Sequence, residues 1–314
     1  MSGLDRTNSI IEGIRAAGIL PSLLAEDTEQ IVAVVRAVRE EGLCCAEIAF
    51  PAGGTAETIR HIRSAAPDML LGACNIQSTL QADETIAAGV DFISVAPDTE
   101  AANHCVESGT PLVAACSSAG EIEKAREKGA GMVKYPADSG DLNEIAAANP
   151  GMRFIVTGAA NGDRLADYLS RPGVAACGIG PLLGSNPGAA GRLAREAVQA
   201  MLAFEVAHIG INCENAEEAK ATADFFCRMF GFEYRPTPTA IFTGDRIEVM
   251  KSPYFGRLGH IAIRTPQVER AVAYLRTRGV LMNERSAKSD DMGLLAVYFE
   301  QEVAGFALHL LRKK

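Results

Sequence analysis

Between residues 18 and 204 the sequence alternates between short apolar segments and amphipathic segments, and this alternation limits the possible folds more than any other feature. The amphipathic segments have helical periodicity, for example at 27–41, 55–66, 80–88, 119–128 and 163–169. Strands that alternate with helices are parallel and are joined by helical crossovers. The apolar segments have the length of strands, and eight of them occur: 19–25, 44–50, 69–74, 92–96, 112–116, 131–135, 153–158 and 174–180.

The number and character of these strands predict a closed barrel. They are apolar on both faces, as parallel strands are when both faces are buried. Eight strand–helix units in one domain are typical of an α/β fold, the (β/α)₈ or TIM barrel. The alternative is an open, doubly wound sheet, but the first strand is not followed by the GxGxxG turn that marks dinucleotide-binding sheets.

Two charged residues interrupt the apolar strands. Lys134 is the single amine in the sixth strand, and Glu47 is the single carboxylate in the second. Burial disfavours the charged form of a lysine, and a neutral lysine is a nucleophile that forms a Schiff base with a carbonyl. The other interpretation of Lys134 is a strand-end lysine whose amine reaches solvent. Two charged groups inside one barrel are expected to pair, so Glu47 is either a catalytic partner or a structural one.

The carboxyl-terminal ends of the strands are where barrels of this type carry out chemistry. Glycines at the ends of the seventh and eighth strands present backbone N–H groups to an anion, or they simply make tight turns. The candidate contacts to a bound substrate at the strand ends are Asn75, Pro97, Ser117, Thr157, Gly158, Gly178 and Gly180.

These markers resemble those of the 2-keto-3-deoxy-6-phosphogluconate / 4-hydroxy-2-oxoglutarate (KDPG/KHG) aldolase family over about residues 8–204. The resemblance implies a trimeric (β/α)₈ barrel, a class I aldolase without a cofactor, and a keto acid or sugar acid as substrate. It implies Lys134 as the Schiff-base lysine and Glu47 as the general acid/base, with Thr157 and Gly158 at the substrate's anionic end. The markers are, in order, Glu47, Gly72-Ala73, Ala96-Pro97, Lys134 with Pro136-Ala137, Thr157-Gly158 and Gly178.

Several positions depart from the family pattern. The family pattern has an arginine that binds an anionic group, and this sequence has Pro51 in its place. The family's serine hydroxyl is likewise lost at Pro181. We therefore expect little preference for phosphorylated substrates. One residue fewer separates the lysine from the Pro-Ala pair, so Lys134 points into the barrel if the loop absorbs the change and outward if the strand does. The remaining departures are Cys74 and Asn75 for a glycine and a threonine, and Ala159 for a glycine.

After about residue 205 the pattern changes, which predicts two domains, 1–204 and 205–314. In the second domain the segment 259–263 is similar in sequence pattern to 208–211, and the segment 306–310 is similar to 246–249. An internal repeat of about 50 residues predicts two copies of one βαβββ unit.

This domain resembles the vicinal oxygen chelate (VOC) superfamily, which includes the glyoxalases, over about residues 206–312. In that superfamily the metal ligands lie on the first and last strands of each unit. Those positions here are His208, Glu248, His260 and His309, and three of the chain's five histidines are among them. Such a set suits Zn, Ni, Mn or Fe. The alternative is a domain that has lost its metal and only binds or packs.

Composition excludes several classes of partner. The net charge is −9 and no long basic block occurs, which argues against nucleic acid and against an anionic membrane surface. The eight cysteines form no CxxC pair and the first residues lack a signal-peptide pattern, so we expect a cytoplasmic protein with reduced thiols.

Three functions follow, in order of preference. The first is a Schiff-base aldolase, an aldehyde-lyase that cleaves a 2-keto-4-hydroxy acid to pyruvate and an aldehyde. The second is a metal-dependent, glyoxalase-type activity in the C-terminal domain. The third is a non-catalytic protein that binds a keto acid or sugar acid.

Overall fold

The computed structural model describes residues 3–24, 27–49, 56–158, 162–180 and 186–313. The chain divides into two compact units between residues 201 and 202. Within the described residues, none of the helices combines the length and the apolar character that crossing a bilayer requires. The predicted strand ends at Ala25 and Phe50, and the predicted helix start at Thr55, lie outside the described residues.

The first unit contains a closed barrel in which neighbouring strands are parallel and follow the order of the chain. The first strand pairs with the eighth through Ile19 and Cys177, which closes the cylinder. The predicted barrel is thus confirmed, and the open doubly wound alternative is wrong. The strands are β1 (Ile19–Leu24), β2 (Cys45–Ala49), β3 (Leu70–Cys74), β4 (Phe92–Val95), β5 (Leu112–Ala115), β6 (Met132–Pro136), β7 (Arg153–Thr157) and β8 (Val174–Ile179).

Helices precede the barrel and connect its strands. Several begin at a side chain that caps the first turn: Asp27, Ser78, Thr99 and Ser118 each accept a backbone N–H at the third residue beyond. Such caps satisfy N–H groups that have no partner within the helix. The helices are α1 (Gly3–Ala17), α2 (Thr28–Glu40), α3 (Ala56–Ala65), α4 (Thr79–Ala87), α5 (Glu100–Ser108), α6 (Ala119–Glu127), α7 (Leu142–Ala148), α8 (Gly162–Ser170) and α9 (Pro187–Leu202).

The amino-terminal end of the barrel is filled and closed. Ile10 and Ile14 of α1 pack with buried side chains from the barrel interior, including Phe92 and Met132. Gly72 belongs to this packing, because a Cβ there would lie 2.2 Å from the ring of Phe92. Apolar side chains thus fill the barrel interior at this end, and barrels of this type carry out chemistry at the carboxyl-terminal ends of their strands.

The second unit is an eight-stranded sheet with two helices. Its order is β10-β11-β12-β9-β13-β16-β15-β14, so the first strands of the two predicted repeats are neighbours and the last strands flank them. Each half has the element order βαβββ that the repeat predicted. The elements are β9 (Glu205–Asn212), α10 (Ala216–Phe230), β10 (Tyr234–Pro236), β11 (Ala240–Thr243), β12 (Ile247–Met250), β13 (Gly259–Thr265), α11 (Val268–Thr277), β14 (Met282–Asp290), β15 (Gly293–Val303) and β16 (Phe306–Arg312).

Candidate functional site

Lys134 and Glu47 meet inside the barrel. They come from β6 and β2, which lie on opposite sides of the closed cylinder. Lys134 Nζ donates a hydrogen bond to Glu47 Oε1, and the two side chains form an ion pair. Glu47 is fully buried and the Lys134 side chain is 16% exposed. Lys134 therefore points into the barrel, and the one-residue difference after it does not turn it outward.

A third side chain joins this pair. Ser22 of β1 lies opposite Glu47 in the register of β1 and β2, and its hydroxyl donates to the same oxygen, Oε1. Glu47 Oε2 is buried and has no hydrogen-bond partner among the described residues. The sequence analysis did not identify Ser22. The available signal was a hydroxyl at the fourth position of the otherwise apolar strand Ile19–Leu24.

A cavity of about 420 Å³ opens at the carboxyl-terminal end of the strands. This volume lies within the usual range for small-ligand pockets. Glu47 is absent from the described cavity wall because it is buried behind it, whereas Ser22 and Lys134 both reach the cavity. The described residues that line the cavity are Ser22, Ala115, Cys116, Ser117, Lys134, Pro136, Thr157, Gly158, Gly178 and Gly180.

Six of the predicted site residues thus share one cavity wall: Ser117, Lys134, Thr157, Gly158, Gly178 and Gly180. Asn75 and Pro97 are absent from the described wall. Asn75 is exposed and has a φ of 62°, and Pro97 is buried. Their contact with a substrate remains a prediction.

The glycines in this wall contribute space. A Cβ at Gly180 would have no heavy atom within 4 Å, and the same is true at Gly158, whose φ is +76°. At Gly178 a Cβ would lie 3.0 Å from the methyl carbon of Thr157. The wall next to Thr157 is therefore formed largely by backbone, which a ligand can approach closely. The departures at Pro51, Ala159 and Pro181 lie outside the described residues.

Two thiols near the pair are held protonated. Burial, followed by the negative charge of Glu47, raises the pKa of the Cys74 thiol to about 12. Burial likewise raises the pKa of Cys116, which lines the cavity, to about 12. A thiolate is the nucleophilic form of cysteine, so neither thiol is a nucleophile at neutral pH. Among the described cavity-lining side chains, this leaves the Lys134 amine as the candidate nucleophile.

The four residues predicted as metal ligands also come together, in the second unit. One ligand atom from each of His208, His260 and His309 lies within 4.8 Å of the others. Glu248 Oε2 lies 3.2 Å from His208 Nε2 and 3.1 Å from His260 Nε2. Three imidazoles and one carboxylate therefore form a single cluster.

Strand register explains this convergence. His208 on β9 faces Ala262 on β13, and His260 faces Gly210, so the two first strands are related by a local twofold. Glu248 pairs with Gly210 and His309 pairs with Ala262, which makes Glu248 and His309 equivalent positions. A Cβ at residue 210 would lie 2.1 Å from the His260 ring. Glycine at this position leaves the space that the imidazole occupies.

The electrostatics of the cluster suit a cation. Burial, followed by the neighbouring His260 and His208, lowers the pKa of His309 to about 3, and both of its ring nitrogens are buried without hydrogen-bond partners among the described residues. Burial opposes ionisation of Glu248, but hydrogen bonds with His208 and His260 outweigh it and lower the pKa of Glu248 to about 2. A neutral imidazole and an ionised carboxylate are the forms that bind metals.

An aromatic wall lies beside the histidines. The Tyr298 ring stacks on His309 at a centroid distance of 4.6 Å, and Phe255 stacks on Tyr298 at 4.5 Å. Phe242 contacts His208 edge-on at 5.9 Å. Aromatic rings therefore pack against His309 and against His208.

Comparison with known proteins concerns the barrel. The family model described as KDPG and KHG aldolase matches residues 10–199. A 2-dehydro-3-deoxy-phosphogluconate aldolase of Treponema pallidum is 35% identical over 177 residues, covering 54% of this chain and 84% of the relative. The KHG/KDPG aldolase of Escherichia coli is 26% identical over 201 residues, covering 60% of this chain and 94% of the relative.

A solved structure supports the barrel fold. The 2-keto-3-deoxy-6-phospho-gluconate aldolase of Zymomonas mobilis superposes with a TM-score of 0.54 at 22% identity, covering 60% of this chain and 95% of that one. The family model matches more than half of the chain, and the matched residues include both Glu47 and Lys134. The chain therefore belongs to the KDPG and KHG aldolase family.

Proposed function

We propose that the barrel is a class I aldolase that cleaves a 2-keto-4-hydroxy acid to pyruvate and an aldehyde. The observation that carries this proposal is the Lys134 amine in the cavity wall, paired with the fully buried Glu47. An amine of this kind forms a Schiff base with a keto group. The family membership supports the same reaction, since curated relatives are named as aldolases for 2-dehydro-3-deoxy-phosphogluconate.

In this proposal Lys134 Nζ attacks the keto carbon and a carbinolamine forms. Loss of water gives an iminium, which accepts the electron pair released when the bond between C3 and C4 breaks. Glu47 is the general acid/base, because its carboxylate is hydrogen-bonded to the amine that reacts. The barrel needs no cofactor for these steps, since the protonated imine is itself the electron acceptor.

The substrate's anionic end is assigned to the other side of the cavity. Thr157 supplies a hydroxyl, and Gly158, Gly178 and Gly180 supply a wall without side chains. The carboxylate of a 2-keto acid fits such a wall, because backbone N–H groups can donate hydrogen bonds to an anion. Ser117 lies in the same wall, although its hydroxyl donates to Glu121 at 2.9 Å.

The test of the aldolase proposal is reductive trapping. Pyruvate with borohydride should attach a pyruvate-derived group to the peptide that contains Lys134, as read by mass spectrometry. Lys134→Arg should abolish the adduct, whereas Lys124→Arg, at an amine whose side chain is 53% exposed, should leave it unchanged. An unlabelled wild-type protein, or equal labelling of Lys134→Arg, would show that the class I mechanism is wrong.

For the second unit we propose a glyoxalase-like, vicinal oxygen chelate identity and a divalent metal at the histidine cluster. Support comes from the βαβββ repeat and from the His309 ring nitrogens, which are buried and have no hydrogen-bond partner in the described part of the chain. His208, Glu248, His260 and His309 would hold Zn, Ni, Mn or Fe. Such a metal supplies Lewis-acid chemistry to an oxygen ligand when it is bound. A glyoxalase-type reaction is the second candidate function, and binding without catalysis is the third.

Assembly and location are further parts of the proposal. The family resemblance implies a homotrimer, which light scattering of the full chain would test. A keto acid or sugar acid is the proposed partner, and the chain's net charge of −9 gives no attraction for nucleic acid or an anionic membrane. A cytoplasmic location fits the eight free cysteines.

A further inference from the structure

In the part of the chain that the structure describes, the Glu47 carboxylate does not reach the cavity directly. Its exposed fraction is 0%, and it is not part of the described cavity wall. A general acid/base must lie within hydrogen-bond reach of the proton that it moves, directly or through one intervening group. Ser22 and Lys134 both line the cavity and both donate to Glu47 Oε1. Protons that travel between Glu47 and the cavity therefore have these two groups as carriers.

Imine formation removes one of these carriers. Once Lys134 Nζ is bonded to the substrate carbon, its nitrogen serves as the electron acceptor and no longer cycles protons. The Ser22 hydroxyl then remains as the link from the cavity to Glu47. A hydroxyl suits this role because it donates one hydrogen bond and accepts others at the same time.

Other polar groups in the region do not offer the same link. The Ser117 hydroxyl lines the cavity but donates to Glu121. Cys74 lies beside Glu47, but it is absent from the described cavity wall. Ser94 has a buried hydroxyl that finds no hydrogen-bond partner among the residues the structure describes, and it too is absent from that wall. Among the described residues, Ser22 is the hydroxyl that both contacts Glu47 and reaches the cavity.

We propose that Ser22 is a catalytic residue that relays protons between Glu47 and the substrate oxygen at C4. This inference rests on the proposed aldolase function. It assigns Ser22 direct contact with the substrate, with Glu47 as the base behind it.

In the cleavage step, protons pass from the substrate through Ser22 to Glu47. The O–H bond at C4 breaks and its proton bonds to Ser22 Oγ, while the original Ser22 proton moves to Glu47 Oε1. The electron pair left on the oxygen forms the aldehyde C=O bond, and the C3–C4 bond breaks. Its electron pair forms the C2=C3 bond of an enamine and neutralises the iminium nitrogen. The proton on Glu47 then returns through Ser22 to C3, and water hydrolyses the imine to release pyruvate.

Strand register is what places the relay. Ser22 and Glu47 are directly paired across β1 and β2, so their side chains emerge at the same level on the same face. Leu20, two residues earlier on that face, belongs to the packed interior core at the closed end of the barrel. Ser22 therefore lies at the boundary between the packed interior of the barrel and the cavity.

The experiment compares Ser22→Ala, Ser22→Thr and the matched control Ser94→Ala. Each variant is assayed for steady-state cleavage of 2-keto-3-deoxygluconate or its 6-phosphate, and for trapping of pyruvate by borohydride. We expect Ser22→Ala to lower kcat by about a hundredfold or more, as loss of a general acid/base contribution does. KM and the extent of trapping should stay near the wild-type values. Ser22→Thr should recover kcat to within about tenfold of wild type, since its hydroxyl can serve as donor and acceptor.

Several results would contradict the proposed relay, and they can be told apart from a failure of the aldolase proposal. A Ser22→Ala enzyme with kcat within about threefold of wild type would overturn the relay. Parallel loss of kcat and trapping would also overturn it, because Ser22 would then only hold Lys134 and Glu47 in position. If Ser94→Ala lowered kcat as much as Ser22→Ala does, the loss of any hydroxyl inside the barrel would have the same effect. That result would contradict a specific role for Ser22. Failure of the wild-type protein itself to be trapped would reject the aldolase function, which is a separate result.

Discussion

Lys134 Nζ and Glu47 Oε1 form an ion pair across the interior of the barrel, between strands β6 and β2 on opposite sides of the cylinder. The carboxylate is fully buried and receives a second hydrogen bond from Ser22. A buried pair of this kind adds little net stability, but the loss of one partner leaves an uncompensated charge. Loss of one partner of this pair should therefore cost stability.

Substitution of Lys134 should destabilise the barrel. Lys134→Met leaves Glu47 buried without its cation, and breaking such a pair costs about 3–5 kcal/mol. The Ser22 hydrogen bond remains, so we expect the lower end of that range. Urea denaturation followed by circular dichroism measures the change. The double variant Lys134→Met with Glu47→Gln should recover most of the loss, and a cost below about 1 kcal/mol for the single variant would contradict the prediction.

Glu47→Gln should abolish most of the activity without disrupting the fold. Glutamine has a similar shape and can accept the hydrogen bonds from Lys134 and Ser22, but it cannot take up a proton. We expect kcat to fall by about 10²–10⁴-fold. Steady-state kinetics give this value, and circular dichroism checks the fold. Retention of kcat within about threefold would exclude Glu47 as the general acid/base.

Phosphorylation of the substrate should have a small effect on the rate. The arginine and the serine of the family pattern are replaced by Pro51 and Pro181, and one charge-assisted Arg–anion contact contributes a few kcal/mol. The measurement compares kcat/KM for 2-keto-3-deoxygluconate with and without its 6-phosphate. A preference for the phosphorylated sugar above about a hundredfold, or about 2.7 kcal/mol, would disprove this expectation.

The histidine cluster should bind a divalent metal in the full chain. Elemental analysis after incubation with Zn, Ni, Mn and Fe should find stoichiometric metal in wild type and none in His208→Ala with His260→Ala. Gly210→Ala should also lose metal, because its Cβ would displace the His260 ring, whereas Gly120→Ala meets no atom within 4 Å and should bind normally. Metal content should fall at acidic pH, where protons compete with the metal for its ligands. Absence of metal from wild type after all four incubations would reject the site.

The Cys74 thiol should resist alkylation at neutral pH. Its pKa of about 12 means that the folded protein holds the neutral thiol at pH 8, and the thiolate is the form that reacts. We expect iodoacetamide to modify Cys74 about a thousandfold more slowly than in the urea-unfolded chain, whose cysteines have a pKa of about 8.5. The rate should rise about tenfold per pH unit between pH 8 and 10. Glu47→Gln removes the neighbouring charge that raises this pKa, so it should accelerate the reaction, and no acceleration would contradict the assigned cause.

The sequence by itself determined the barrel and the elements of the second unit. Strand and helix periodicities are local properties, so the alternation from residue 19 to 180 predicted the closed order of β1 to β8, which the structure confirms. A lysine and a glutamate in otherwise apolar strands were visible in the same way, because a buried charge stands out against its neighbours. The repeat after residue 205 likewise indicated which strands would carry His208, Glu248, His260 and His309.

Only the tertiary structure decided how these groups meet. The direction of Lys134 depends on the register of β6 in the closed barrel, which local sequence leaves open by one residue. The pairing of Ser22 with Glu47 depends on the register between β1 and β2, and the burial of Glu47 behind the cavity wall depends on all eight strands. The location of Asn75 and Pro97 away from the described wall was equally hidden. Contacts between residues 25 or 87 positions apart in sequence are fixed by hydrogen-bond register and barrel closure, and neither is a property of any single segment.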